Sequence, residues 1–429
     1  MKVSIEELYS IYREHPLITT DSRKVQKGCL FFALKGDNFD GNAFASDAIE
    51  QGAKFSVIDN PLLDSDHFLL VDDVLIALQK IARLHRRSLK IPVIGITGSN
   101  GKTTTKELIH SVLGSSFPVH ATPGNLNNHI GVPLTMLSMP FDTEIAIIEM
   151  GANHPGEIAF LSNIAQPTHG IITNIGKAHL EGFGGYEGVI RTKSELYQYL
   201  RMHDGTAFVN GINSLLAELS MGITRIFYGT EHDFQIQGEI LSSDPLLDIL
   251  WHHSDREIKV KTQLVGNYNF ENVMAAICIG DHFRVPAEKI VSAIMNYVPA
   301  NSRSQTLNTS HNKIILDAYN ANPSSMLAAL QNFSRIKAAR KMVILGDMLE
   351  LGAESLAEHR SIVNMVDSLT FDTAIFVGPE FRKAVGEHHL AFTDTSSAME
   401  WLQNNLVQGY TILLKGSRGI RMETLLEAL

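Results

Sequence analysis

The segment Gly95-Ile96-Thr97-Gly98-Ser99-Asn100-Gly101-Lys102-Thr103-Thr104-Thr105 carries the most evident chemistry of the chain. Glycines at 98 and 101 let the backbone curl so that successive N–H groups point at phosphate oxygens. A helix starting just after them adds its positive N-terminal end. In such a loop Gly98, Ser99, Asn100, Gly101, Lys102, Thr103 and Thr104 cradle the phosphates of ATP. Lys102 reaches the β- and γ-phosphates, and the Thr103 hydroxyl binds Mg2+. The spacing is shorter than the strict G-x-x-x-x-G-K-[ST], whose first glycine would fall on Ile96. The plain alternative is a glycine-rich turn bearing a surface lysine. The apolar run before the turn and the Lys-Thr-Thr after it argue against that.

Other residues stand out less sharply. Glu149 ends an apolar strand, a costly place for a carboxylate unless a cation neutralises it, and Mg2+ prefers such hard oxygens; a helix-capping glutamate is the bland reading. His179 follows another strand and a Gly-Lys turn, but it is one of 18 histidines and a lone histidine is more often structural. Lys193 reads, on spacing alone, as a solvated helix lysine. Lys415-Gly416-Ser417-Arg418 is a basic turn at a strand end.

The elements that must position these residues have α/β texture. Residues 1–86 hold short strand-like pieces at 29–34 and 55–58, then an amphipathic helix over 74–87 with Leu75, Leu78, Ile81, Ala82 and His85 at helical spacing. Arg83, Arg86 and Arg87 close that helix, as cations do at a C-terminus. Residues 87–299 open on the apolar run 91–96. Strands are expected at 144–148, 170–174 and 207–210, with helices between, which predicts a parallel sheet covered on both faces. Short antiparallel strands over 234–263 lead into a helix over 269–282. Residues 300–429 repeat the texture, with strands at 313–316, 342–345, 374–377 and 411–414. In both later regions the polar motifs lie just past strand C-termini, where open parallel sheets bind ligands. Two such edges facing each other would make an inter-domain cleft.

Composition bounds the reading. The chain has 429 residues, 44% apolar and 19% charged, a globular balance. The formal net charge of −10 argues against a protein built to grip nucleic acid, because phosphate contacts need clustered cations. Cys29 and Cys278 sit in no metal or CxxC pattern, so a reducing compartment is expected. Glu6 and Glu7 stand where a signal peptide would be apolar, and no run of about 18 apolar residues occurs. The expectation is a soluble cytoplasmic monomer without a membrane span.

In order along the chain, these segments resemble the Mur ligase family, which includes the folylpolyglutamate synthases and the peptidoglycan precursor ligases. The short phosphate loop is the form seen there. Thr20-Asp21-Ser22-Arg23, Lys35-Gly36-Asp37 and Asp40-Gly41-Asn42 look like the family's UDP-binding domain. Gly124-Asn125-Leu126-Asn127-Asn128, Glu149-Met150-Gly151-Ala152 and His179-Leu180-Glu181-Gly182-Phe183-Gly184 resemble its central domain. Asp317-Ala318-Tyr319-Asn320-Ala321-Asn322-Pro323 and Leu345-Gly346-Asp347-Met348-Leu349-Glu350-Leu351-Gly352 resemble the C-terminal domain of the members that transfer a D-alanyl dipeptide. The chain departs from the family at Asn42 (often His), His129 (often Asp) and Tyr268 (often His).

The resemblance implies a three-domain α/β protein. A small N-terminal UDP-binding domain (1–86) precedes a central P-loop ATPase domain with a mostly parallel sheet (87–299) and a C-terminal Rossmann-like ligase domain (300–429). It implies an ATP-dependent amide-forming ligase of peptidoglycan precursor synthesis, joining D-alanyl-D-alanine to UDP-N-acetylmuramoyl-tripeptide through an acyl phosphate, with two Mg2+ ions. By the same resemblance Glu149, His179 and a carbamylated Lys193 join Thr103 at the metals, and Asn269 and Asn272 meet adenine. Arg303 steadies the transferring phosphoryl group. Asp317, Tyr319 and Asn320 meet the ribose and nearby atoms. Ser22, Arg23, Lys35, Asp40 and Asn42 would hold the UDP end, and Asn125, Asn127 and Asn128 another part of the substrate. Lys415, Ser417 and Arg418 are candidates for the peptide or phosphate, and Asp347 and Glu350 for the incoming amine. A Mur-type ligase adding a single amino acid, a folylpolyglutamate synthase and a P-loop regulator stay open. Asp21-Ser22-Arg23 argues against the folate enzyme, the 319–323 motif against single-amino-acid addition, and the strand-edge motifs of the third region against a simple switch.

Overall fold

A computed structural model describes residues 2–299 and 302–429. The boundary expected at 299/300 therefore abuts residues outside the described ones. The chain builds three α/β lobes, each around its own sheet.

The first sheet has four parallel strands in the order Ile18–Thr19, Leu30–Phe32, Phe55–Ile58, Phe68–Leu70. Its second strand shows why it is parallel. Leu30 and Phe32 enter one apolar cluster while Phe31, flanked by Cys29 and Ala33, enters another, so both faces are covered. The helix Val74–Ser88 follows, capped by the Asp73 carboxylate, which accepts from Ile76 N–H at 2.7 Å. Its buried stripe of Val74, Ala77, Leu78, Ile81 and Ala82 packs it against the central helices Gly131–Leu137 and Glu157–Ala165. Arg86 is buried rather than solvated. It donates Nε to Ala165 O and Nη2 to Gln166 O, both at 3.0 Å, so it caps the end of a neighbouring helix as well as its own.

The central sheet has nine strands. From one edge they run Arg256–Val265, Leu246–His253, Ile236–Ser243, Thr224–Gly229, Thr206–Asn210, His169–Ile172, Val93–Thr97, Ile145–Glu149, Val119–Ala121. The expected antiparallel stretch is three long strands, of which Ile236–Ser243 joins the parallel part beside Thr224–Gly229. Register places Ile96 opposite Glu149 and Thr97 opposite Ile172. The phosphate loop, Glu149 and residues 173–174 consequently leave the sheet along one edge.

The third sheet runs Gln305–Asn308, Lys313–Asp317, Thr411–Lys415, Lys341–Gly346, Thr373–Val377, Leu390–Phe392, and all pairs are parallel except the first. Asp317 stands opposite Lys415. Among the described residues no helix is long and apolar enough to cross a membrane.

Candidate active site between the central and third sheets

Strand Val93–Thr97 is wholly buried, and the chain leaves it through Gly98 at φ 145°. Gly101 at φ 78° then starts the helix Lys102–Gly114. Only glycine fits either position: a Cβ on Gly98 would lie 2.0 Å from Thr173 Oγ1, and one on Gly101 2.6 Å from Asn272 Oδ1. Lys102 folds back over the loop, donating Nζ to Gly98 O at 2.8 Å. Burial, and then the nearby Arg303 cation, hold its pKa below the usual lysine value against the pull of Glu149.

Glu149 is 1% exposed. Thr103 Oγ1 donates to its Oε2 at 3.0 Å and Asn127 Nδ2 to its Oε1 at 2.9 Å, while Lys106 Nζ stands 3.8 Å away. Lys106 is itself buried and donates to Thr122 O and Gly124 O, and Thr122 Oγ1 accepts from Glu149 N–H. The carboxylate and the Thr103 hydroxyl form a pair of hard oxygens beside the loop, a donor set that fits Mg2+.

The cavity above these groups has a volume of about 710 Å³ and is lined from both sheets. Residues 99–104, Asn125, Asn127, Asn128, Glu149, His179, Asn269 and Asn272 come from the central lobe, and Arg303, Asp317, Tyr319, Asn320 and Lys415 from the third. His129 and Tyr268, two of the departures, also line it; Tyr268 OH meets Ser304 Oγ at 2.8 Å. Arg303 lays its guanidinium 3.7 Å over the Tyr319 ring, and its buried Nε has no hydrogen-bond partner. Arg418 stands on the same ring at 5.4 Å, outside the lining. Lys415, 1% exposed, is paired to Asp317 at 2.6 Å. Lys102, the orphaned Arg303 donor and the glycine loop, opening on one cavity, fit a polyphosphate.

His179 and Glu350 meet across the lobes, each at positive φ, with His179 Nδ1 bonded to the Glu350 carboxylate. That hydrogen bond holds the Glu350 pKa below the usual range. Lys193 is no solvated helix lysine. It is 1% exposed, its Nζ donates to Ala152 O at 3.3 Å, and no carboxylate pairs with it among the described residues. Burial, then Lys102, push its pKa well below the ordinary value.

Several expected contacts do not reach this cavity. Asp347 is fully buried and its carboxylate accepts from Glu380 N–H and Phe381 N–H, capping the helix Pro379–Ala384. Ser417, also buried, donates to Ala321 O and accepts from Leu349 N–H. Asn269 and Asn272 line the cavity but spend much of their amide capacity inside the protein: Asn272 Nδ2 donates to Asn269 Oδ1, Asn272 Oδ1 accepts from Thr105, and Asn269 Nδ2 donates to Val265 O. In the first lobe Ser22 and Arg23 lie in a short turn where Arg23 pairs with Asp21, and Lys35 pairs with Asp59 at 2.8 Å. Asn42 is buried and ties Asp40 to Asp59. Ser22, Arg23, Lys35, Asp40 and Asn42, expected at the UDP end, stand apart from the cavity lining.

Sequence reasoning gave no role to Thr173, Asn174 and Lys106, and quoted Asn322 only as part of the 317–323 motif. The strand expected over 170–174 ends at Ile172, which frees Thr173 and Asn174 to bond Asn100. The strand-edge rule pointed at the place of Thr173 and Asn174 without giving them a role.

Family models match in three consecutive stretches: the Mur ligase family catalytic domain over residues 16–94, the Mur ligase middle domain over 96–280, and the Mur ligase glutamate ligase domain over 302–418. The UDP-N-acetylmuramoyl-tripeptide–D-alanyl-D-alanine ligase of Bacillus subtilis is 36% identical, over 96% of this chain and 92% of that protein. The chain belongs to the Mur ligase family. The Escherichia coli ligase of the same name is 33% identical, over 96% of this Mur ligase and 93% of its own length. Among solved structures, MurF from Acinetobacter baumannii superposes with a TM-score of 0.87 at 33% identity, over 96% of this chain and 92% of that one. MurF ligase from Thermotoga maritima in complex with ADP gives 0.85 at 27% identity, over 96% of both chains.

Proposed function

We propose that this Mur ligase uses ATP to join the terminal carboxylate of UDP-N-acetylmuramoyl-tripeptide to the amine of D-alanyl-D-alanine. One observation carries the reading: the phosphate loop and the third lobe's strand-edge motifs line the same cavity, in a chain that matches relatives of that activity over nearly their whole length.

A carboxylate does not condense with an amine at neutral pH, because its oxygen is a poor leaving group. In this reading the tripeptide carboxylate attacks the γ-phosphorus, the bond to the bridging oxygen breaks, and ADP leaves. The dipeptide amine then adds to the acyl phosphate carbonyl. The tetrahedral adduct loses a proton and expels phosphate, leaving the amide. Both partners of the first step are anions, so Lys102 and Arg303 offset their repulsion. Mg2+, when held by Thr103 and Glu149, would neutralise developing phosphate charge. His179 and a carbamylated Lys193 are the groups read as serving a second ion. Lys193 suits that modification, since an uncharged amine is the form that takes up CO2. The two lobes enclose the cavity and protect the acyl phosphate from water.

The lobes are read as domains 1–86, 87–299 and 300–429, supported by sheets that end at Leu70, span Val93 to Val265, and begin again at Gln305. Two buried free cysteines suit a reducing, cytoplasmic setting. The test is phosphate release with UDP-N-acetylmuramoyl-tripeptide, comparing D-alanyl-D-alanine with D-alanine, glutamate and diaminopimelate. Stimulation by a single amino acid and not by the dipeptide overturns the reading.

A further inference from the structure

Asn100, in the phosphate loop, is held from outside the loop through its N–H, its carbonyl and its side-chain oxygen. Its N–H donates to Asn174 Oδ1 at 2.9 Å, and its carbonyl accepts from Thr173 Oγ1 at 2.6 Å and Asn174 Nδ2 at 3.1 Å. These partners belong to the neighbouring strand end of the same sheet. Its side-chain oxygen accepts from Asn322 Nδ2 at 2.7 Å, and Asn322 belongs to the third lobe.

Asn322 is not free to turn. Its Oδ1 accepts from Ser325 N–H at 2.9 Å as the cap of helix Pro323–Arg335, so its amide nitrogen must face the loop. The approach of the two lobes here is close. A Cβ on Gly176 would lie 2.8 Å from Ser324 Oγ and 3.1 Å from Ser324 Cβ. On the same seam Lys177 N–H donates to Ser324 Oγ at 3.0 Å, and Lys177 Nζ pairs with Glu358 at 2.6 Å.

We propose that Asn322 is a positioning residue for phosphoryl transfer: it fixes the side chain of Asn100, within the phosphate loop, through this amide–amide bond. The inference rests on the ATP-dependent ligase reading above. Donors aimed at a transferring phosphoryl group work only when their geometry is held. The backbone of Asn100 is dictated by Thr173 and Asn174 whether or not the third lobe is near. Its side chain gains its partner only when that lobe is seated. The loop backbone is thus set within the central lobe, and the Asn100 side chain is set across the seam. Phosphoryl transfer is tied in this way to the lobe that carries the 317–323 motif.

The test uses Asn322→Ser, Gly176→Ala, Asn100→Ala and the Asn100→Ala/Asn322→Ser pair in the full chain. Serine is as good a cap as asparagine but too short to reach Asn100. Alanine at 176 keeps every donor and wedges the seam. The kcat for phosphate release with both substrates falls about five- to tenfold in Asn322→Ser and Gly176→Ala, the size of one hydrogen bond. ADP affinity by calorimetry changes by less than about twofold, since the loop itself is intact. The double variant is no slower than the worse single one. Parental kcat in Asn322→Ser or in Gly176→Ala overturns the inference, as do additive losses in the pair or a loss confined to ADP affinity. A parent chain that releases no phosphate with both substrates fails the ligase reading itself, a distinct result.

Discussion

Thr103 Oγ1 donates to Glu149 Oε2 at 3.0 Å, joining two residues 46 positions apart on the floor of one cavity. The first comes from the start of helix Lys102–Gly114 and the second from the end of strand Ile145–Glu149, which pairs with the strand before that helix. If that pair holds Mg2+, Glu149→Gln keeps the shape and the Asn127 neighbour while removing the charge. Turnover then falls at least about a hundredfold, with a higher Mg2+ requirement. Phosphate release across an Mg2+ titration measures this, and an unchanged titration curve removes Glu149 from the metal site.

Lys193 gives a prediction in pH. Its folded pKa is depressed by burial and by Lys102, so below the unfolded value near 10.5 the unfolded chain binds a proton that the folded chain resists. Unfolding free energy from this group accordingly rises with pH across that window and is lost as pH falls. Lys193→Met removes the trend, and the variant is more stable than the parent at neutral pH in denaturant melts. If the amine is carbamylated, carbon-13 bicarbonate adds a carbamate signal in the parent that Lys193→Met lacks. A parent without that signal at saturating bicarbonate leaves Lys193 an unmodified buried amine.

The Asp317–Lys415 pair joins facing strand ends, with Lys415 1% exposed and Asp317 18%. Removing one partner of a covered pair leaves an uncompensated charge, so Lys415→Met costs about 2–4 kcal/mol in urea unfolding. The double change Asp317→Asn/Lys415→Met recovers part of that loss. Equal losses in the single and double variants would show that the ion pair itself contributes nothing.

His169 supplies a pH effect far from the cavity. Its ring stacks on Phe208 and its Nε2 lies 3.2 Å from His282 Nε2. Burial, and then His282, push its pKa down to about 4 from 6.5. Between those values the unfolded chain holds the extra proton, so stability from this group is present above pH 6.5 and is lost as pH falls toward 4. His169→Phe shrinks the drop in the denaturation midpoint between pH 7 and pH 4; an identical drop in both proteins contradicts the assignment.

Much of the fold and part of the site were legible in the residues because they depend on neighbours in sequence. The curl at Gly98 and Gly101 is a local backbone requirement, and a buried parallel strand shows itself as an apolar run. The rule that ligands gather past strand C-termini then placed Glu149, Asp317 and Lys415 at working edges. Side chains whose surroundings come from distant segments were not legible in the same way. Lys193 has helical spacing like a surface lysine, yet the packing of helix Tyr186–Met202 buries it. Asp347 looks like a strand-edge ligand, but the helix that begins at Pro379 folds over it and takes its carboxylate. Asn42 and Ser417 are likewise consumed by bonds within the protein.

By itself the sequence determined the chemistry available: a glycine loop with Lys102 and Thr103, carboxylates at strand ends, and three α/β regions in order. The tertiary structure alone decided which of those groups face one another. Asn100 and Asn322 are 222 residues apart, and nothing local to either encodes the other. Their contact exists because two sheets, each folded by its own apolar faces, close edge to edge, and burial and hydrogen-bond satisfaction are properties of that arrangement rather than of either segment.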